Sequence, residues 1–484
     1  MGPRWRGPFC LLLLPFARLI PRPSPLPGAT LLGRALPRTR LHRLDLGEND
    51  ITASGLAAIC DGMAACATIH SADLHGNPLE QQASFALELL LTRTQTLSAL
   101  VLDACRLGPG GMTGLARGLA SNTSLRTLSA INNGGGLEAA AALAQALPHN
   151  NSLQELFLSY NHFGDTGLEL LCESLASNQG VAVLRVADNN AGERALLALA
   201  AALAVNHSLV SLDVSGNAAV SLAACAALGR SLALNTRLER IVCRVARIGA
   251  PQMSALVDGM LKCGVRRNRS LRGLNLAGND LGAEGAEALA RLLCNDRVDL
   301  ECIDLSGNEV GDAGMLHLSK GLEYNTRLLR LRLCNNSIGP VGAARLGQAL
   351  ACCQTTSMLE MLDLSGNMLS DEGVIRLCEG LRNNRHLKKL SLANNAVGPQ
   401  GAGALVGLLT ASLNLQHLSL EENPLDVAGV VTLTSGLRAN RGLHHLNIQH
   451  VSGDNTDMEE LQLAFSRLGR SNQAVFVERS QTCG

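Results

Sequence analysis

Three groups of residues in this 484-residue chain have the types and spacing that chemistry uses. Glycines cluster in Gly108-Pro-Gly-Gly-Met-Thr-Gly114 and Gly398-Pro-Gln-Gly-Ala-Gly403, as they do where a loop cradles phosphate. Neither stretch carries the Gly-Lys-Ser/Thr of such a loop. His444, His445 and His450 gather near the C-terminus. On a strand, adjacent residues point to opposite faces, so His444 and His445 cannot share a metal ion without distortion. Asp45, Asp73, Asp213, Asp304 and Asp363 recur at one position of an extended segment, all on one side. A ladder of this kind is a consensus of the repeat and not a general acid–base pair. No Ser/His/Asp or Cys/His arrangement stands out either. The sequence predicts no catalytic residue, no metal and no cofactor.

All of these residues keep step with one phrase, L-x-x-L-x-L-x-x-N. It opens at Leu41, Ile69, Leu97, Leu125, Leu153, Val181, Leu209, Leu238, Leu271, Leu300, Leu328, Leu359, Leu387, Leu415 and Leu443, almost always 28 residues apart. A fixed period of this length marks a solenoid, whose units bury their apolar faces only by stacking. In Leu153-Gln-Glu-Leu156-Phe-Leu158-Ser-Tyr-Asn161 the alternation predicts a short strand with one buried face. The asparagine follows where the chain turns, able to donate to and accept from turn backbone. Cys105 replaces it once and Ala246 loses it. Pairs such as Leu171/Leu175, Leu318/Leu322 and Leu405/Leu409 stand ten and six residues before an opening, on one face of a helix. A glycine four residues earlier, as at Gly167, Gly314 and Gly401, lets the backbones approach.

With strand, turn and helix in every unit, the expected fold is an α/β solenoid. It is a horseshoe of about fifteen repeats with a concave parallel sheet and convex helices. The units resemble the ribonuclease-inhibitor class of leucine-rich repeats, nearly complete in residues 300–325, LECIDLSGNEVGDAGMLHLSKGLEYN. The period is similar to that of NLR-type receptor repeats and of the Ran GTPase-activating protein. The likeness runs over roughly residues 28–477. It implies a sensor-like binding array, without receptor signalling because no nucleotide-binding domain precedes it. GTPase activation is the alternative it implies, set against the missing acidic C-terminal region. A structural subunit of a cytoskeletal or flagellar assembly is a third reading.

Composition narrows the partners. The 41 basic and 41 acidic residues cancel, so no global field draws nucleic acid or anionic membrane. Aromatics at 2% are too few for base-stacking platforms. Fifteen cysteines form no C-x-x-C framework, and Cys60, Cys172 and Cys378 fall beside the helix pairs. They read as buried thiols in a reducing compartment, hence a cytoplasmic location. Sequons begin at Asn122, Asn150, Asn206, Asn268 and Asn335. The first four share a repeat phase with Asn178 and Asn440, so the repeat accounts for them.

Residues 1–27 lie outside the pattern. They fit a disordered or non-native start, an Arg-rich transit peptide that would direct the chain to an organelle, or a secretory signal. The apolar run Phe9–Phe16 is too short for a membrane span. The array is expected over 28–454, with a break near 246–270 where about five residues are inserted around Lys262 to Asn268 within the basic run Lys262–Arg269, and a cap over 455–484.

The expected function is a non-catalytic scaffold that binds a protein on the concave face. Fifteen strands about 4.8 Å apart give an arc of roughly 70 Å. That is room for a standard interface of about 800 Å² per partner. Departures from consensus nominate an apolar group, Val101, Ile131, Phe157 and Val183, with Phe157 flanked by Ile131 and Val183. A basic group, Arg240, Arg244, Arg330, Arg332 and Lys389, lies further along.

Overall fold

Nearly every repeat opens with a buried aliphatic residue, Leu41 at the first being exposed, and a three-residue strand whose middle residue is buried. Glu155–Phe157 shows the pattern: Leu156 is buried between two half-buried neighbours. The computed structural model describes residues 26–217, 221–262, 268–295, 298–352, 358–382, 384–412, 414–448 and 474–476. Sixteen such strands, from Arg43–Asp45 to Ala474–Phe476, form one parallel sheet in chain order. Fifteen α-helices, from Leu26–Ala35 to Val427–Ala439, pack side by side against it among the described residues. The expected helix pairs are its core, with Leu171, Leu175, Leu405 and Leu409 all buried. Between the helices, a Cβ on Gly167 would sit 2.9 Å from the Cβ of Ala140, and one on Gly314 3.1 Å from the Cβ of Ala286. No helix among the described residues is long and apolar enough to cross a membrane.

The turn after each strand explains the asparagine. Asn77 Oδ1 accepts from the N–H groups of Asn49 and Ile51 one repeat back, at 3.0 and 2.9 Å. Its Nδ2 donates to the carbonyls of Leu46 and Leu74, both at 2.8 Å. One side chain thus satisfies groups in two turns that no ladder hydrogen bond reaches. Asn133 belongs to the same row. At Cys105 the thiol still donates to Leu74 O, at 3.2 Å. At Ala246 nothing replaces the amide, and a void of about 20 Å³ opens beside it. The sheet nonetheless runs through this repeat, pairing Arg240 with Gly273 across the longer spacing. Of the expected insertion, 263–267 lie outside the described residues, as do 1–25, the cap apart from its strand 474–476, and His450.

A second row of asparagines ends the helices. Asn122 Nδ2 donates to Leu91 O at 2.7 Å while its Oδ1 accepts from Leu125 N at 2.7 Å. Asn150, Asn206 and Asn268 do the same and all are buried. Four of the five sequon asparagines are therefore structural.

The helices are capped across repeats. Asp165, in the first turn of one helix, accepts from Gly192 N at 2.8 Å and Ala195 N at 2.9 Å at the start of the next. Asp312 and Asp371 repeat the device on Gly339 and Gly342 and on Gly398 and Gly401. Burial alone would raise the Asp165 carboxyl. The N–H groups of Ala195, Gly192 and Arg194, with the Arg194 guanidinium, outweigh it and hold it below the usual carboxylate range. A carboxyl depressed in the folded chain stabilises above its unfolded value, about 3.9, and loses that contribution as pH falls below it. Asp165→Ala is expected to cost about 1 kcal/mol at neutral pH. The deficit should shrink as pH drops through the carboxylate range, read from urea midpoints at each pH.

Candidate functional site

On the exposed sheet face the first and third residues of every strand form two long rows. The row of third residues, called the third row, holds the aspartates, whose role is local. Asp213, Asp304 and Asp363 each accept from the backbone N–H and the hydroxyl of a serine two residues on, Ser215, Ser306 and Ser365. They close turns. Asp45 and Asp73 likewise accept from backbone N–H groups two residues on, those of Gly47 and His75. At the N-terminal end of this row, Asp45, Asp73 and His75 bring ligand-capable atoms within 4.8 Å of one another. There His75 Nδ1 and Asp73 Oδ1 lie 2.9 Å apart, a hydrogen bond that raises the imidazole's proton affinity. The glycine stretches are helix starts, at Gly108–Ser121 and just before Pro399–Ala411. His445 enters the first row, where its ring tilts toward His417 at 5.6 Å, and His444 precedes the strand.

The nominated residues all lie on this face or at its edge. Val101, Phe157 and Arg332 occupy the third row; Val183, Arg240, Arg330 and Lys389 occupy the first. Ile131 and Arg244 follow their strands, with Ile131 N donating to Asp103 Oδ1 at 2.8 Å. The apolar group is less continuous than expected. In register, Phe157 is flanked by Ser129 and Arg185, not by Ile131 and Val183. Val183 instead pairs with Glu155. The reason is the period of two: residues on one face still fall into separate rows. The sequence reading missed Arg185, whose guanidinium sits 4.7 Å from the centre of the Phe157 ring. A cation over a ring face is attracted by its quadrupole, which restrains the phenyl beside Arg185.

The basic group is more coherent. Arg240, Arg330 and Arg332 line one hollow of about 350 Å³ together with Arg272, Glu239, Gly273, Cys302 and Asp304. Arg332 lies 3.6 Å from Asp304, and Arg240 and Arg330 have no ion pair among the described residues. Lys389 stands two strands beyond Arg330, between Met361 and His417. Arg272 and Gly273 were also missed. The signal for Gly273 was present in the sequence, as a glycine where the first row otherwise carries a side chain.

The free cysteines include Cys60, Cys172 and Cys378, all buried. Burial pushes the Cys172 and Cys378 thiols up to about 12 and raises Cys60 well above its ordinary value. With almost no thiolate at neutral pH and no access, these three should resist maleimide in the native protein. Exposed Cys294 should label before them, as read by mass spectrometry. Native labelling of Cys172 as fast as Cys294 would contradict the packing.

Known proteins share the repeat. A leucine-rich-repeat family model matches residues 39–60, 149–172, 267–290, 299–319, 357–378 and 383–406. A protein phosphatase 1 regulatory subunit 37 homolog of Caenorhabditis briggsae is 31% identical over 126 residues, 26% of this chain and 13% of that protein. NACHT, LRR and PYD domains-containing protein 12 of Mus musculus is 33% identical over 165 residues, 34% of this chain and 15% of that protein. The ribonuclease inhibitor of Sus scrofa is 34% identical over 125 residues, 26% of this chain and 27% of the inhibitor. The matched stretches thus span well under a third of each relative.

Proposed function

Because the chain is a leucine-rich-repeat protein related to NACHT-LRR and ribonuclease-inhibitor-like proteins, we propose that it is a non-catalytic scaffold whose sheet face binds another protein. The observation that carries this reading is the open face itself. Among the described strands it runs in one register from Arg43 to Asn447, with first and third residues mostly exposed or half-buried, as in Arg43–Asp45, Glu155–Phe157 and Arg330–Arg332. It offers an arginine-braced phenyl ring at Phe157 and a cationic hollow at Gly273, an apolar anchor and charged contacts on one surface. Val101, Ile131, Val183, Arg244 and Lys389 extend the proposed contact area around these two centres. A cytoplasmic location is part of the proposal, supported by the free thiols.

A photo-crosslinking residue tests the face. Placed at Val183 on the sheet, it should yield adducts with a protein partner in native lysate. Placed at Glu379 on the outer helix Ser370–Leu381, it should yield none. Adducts from Glu379 alone would move the site to the helices.

A further inference from the structure

We propose that the hollow at Gly273 is the docking point for an acidic peptide segment, extended along the sheet face, of the partner protein. The proposal deepens the scaffold reading and rests on it. Its basis is the register of four adjacent strands, which places Arg240, Gly273, Cys302 and Arg330 in one line. Two long cations thus stand at either end of two small residues. The gap between them is the hollow, about 350 Å³, walled by Arg272 and Arg332. Four arginines line it against two acids, Glu239 and Asp304. Arg272 is held by Glu301 and Arg332 lies 3.6 Å from Asp304, whereas the exposed Arg240 and Arg330 have no carboxylate among the described residues.

Guanidinium groups take carboxylates in planar, two-pronged hydrogen bonds, stronger than neutral ones. Three strand spacings separate Arg240 from Arg330, about 14 Å before curvature. An extended peptide covers about 13 Å in four residues, so acids at positions i and i+4 would reach both arginines. The intervening side chains have room because residue 273 has none. A Cβ there would already lie 3.3 Å from Arg240 Cγ. Nucleic acid fits less well. The lining holds no aromatic on which a base could stack, and Asp304 and Asp363 in the neighbouring row would repel a continuous phosphate chain. Discrete carboxylates at alternate positions avoid those aspartates.

The test uses the full chain and a short fluorescein-labelled peptide of alternating glutamate and serine, which presents its acids on one face when extended. The peptide should bind at low salt. The Arg240→Glu, Arg330→Glu double variant should weaken it by about tenfold or more. Gly273→Leu should do the same with every charge in place, and it keeps the test meaningful if the double variant does not fold. Bound peptide should slow maleimide modification of Cys302 in the hollow and leave Cys294, on the helix side, unaffected. No binding by the unaltered protein, equal binding by Gly273→Leu, or tighter binding of an oligouridylate of the same length would each overturn the proposal. Failure of the peptide with sheet-face adducts intact at Val183 removes only the hollow. Adducts confined to Glu379 remove the scaffold reading and this proposal with it.

Discussion

Asn161→Ala is expected to cost about 3 kcal/mol, the largest loss of stability from any one of these substitutions. Asn161 is fully buried, and its amide serves two turns at once. Nδ2 donates to Ala130 O at 2.8 Å and Leu158 O at 2.9 Å; Oδ1 accepts from Asn133 N at 3.1 Å. Leu158 O keeps a donor in Asn189 when Asn161 is lost. Ala130 O and Asn133 N lose theirs, away from water, at about 1–3 kcal/mol each. Domains are stable by only about 5–15 kcal/mol, and a solenoid shares its stability between neighbours. The urea transition should therefore shift and broaden as the repeats on either side uncouple. Asn49→Ala is the matched control. It holds the same phase, but it is exposed at the first turn, where its Nδ2 donates to Gly47 O at 2.8 Å and water can take over. Its cost should stay below about 1 kcal/mol. Equal losses at both positions would mean that the row of asparagines is not what couples the repeats.

What the sequence made legible follows from what a repeat encodes. Within one unit, the leucine spacing predicts strand, turn and helix, because each periodicity has one burial solution. Leu156, Leu171 and Leu175 are all buried as that logic requires. Contacts between units are harder to see. Asp165 caps a helix whose first residues come 27 to 30 positions later, and nothing local to Asp165 announces it. Arg185 meets Phe157 only because parallel register brings residues 28 apart side by side. The hollow was hidden further by the irregular spacing of the eighth repeat. Arg240 and Gly273 are partners 33 residues apart, outside the usual period. The basic residues could be grouped from the sequence, and the hollow that joins Arg240 and Arg330 across Gly273 could not. The expected flanks of Phe157 were misplaced for the converse reason. Ile131 and Phe157 are 26 residues apart and on one face, yet Ile131 lies past the end of its strand.

Phe157→Ala is expected to weaken binding of a sheet-face protein partner by about thirtyfold, the loss of an anchor worth about 2 kcal/mol. The ring is half-buried on the open face. Arg185 over it restricts the ring before any partner arrives, so less rotamer entropy is lost on binding. Folding should hardly change, since the core at this strand is Leu156 and Leu158, both fully buried. The contact with Arg185 is itself worth about 0.5–1 kcal/mol at an exposed site. Arg185→Ala separates the two roles. It removes the brace and leaves the ring, so it should weaken binding by less than Phe157→Ala. Arg332→Glu reports on the charged centre independently, several strands away, where effects should add. Affinities of the three variants for a crosslink-identified partner, compared with Glu379→Ala on the outer helices, decide the matter. Wild-type affinity in both Phe157→Ala and Arg332→Glu, with loss in Glu379→Ala, would take the binding site off the sheet.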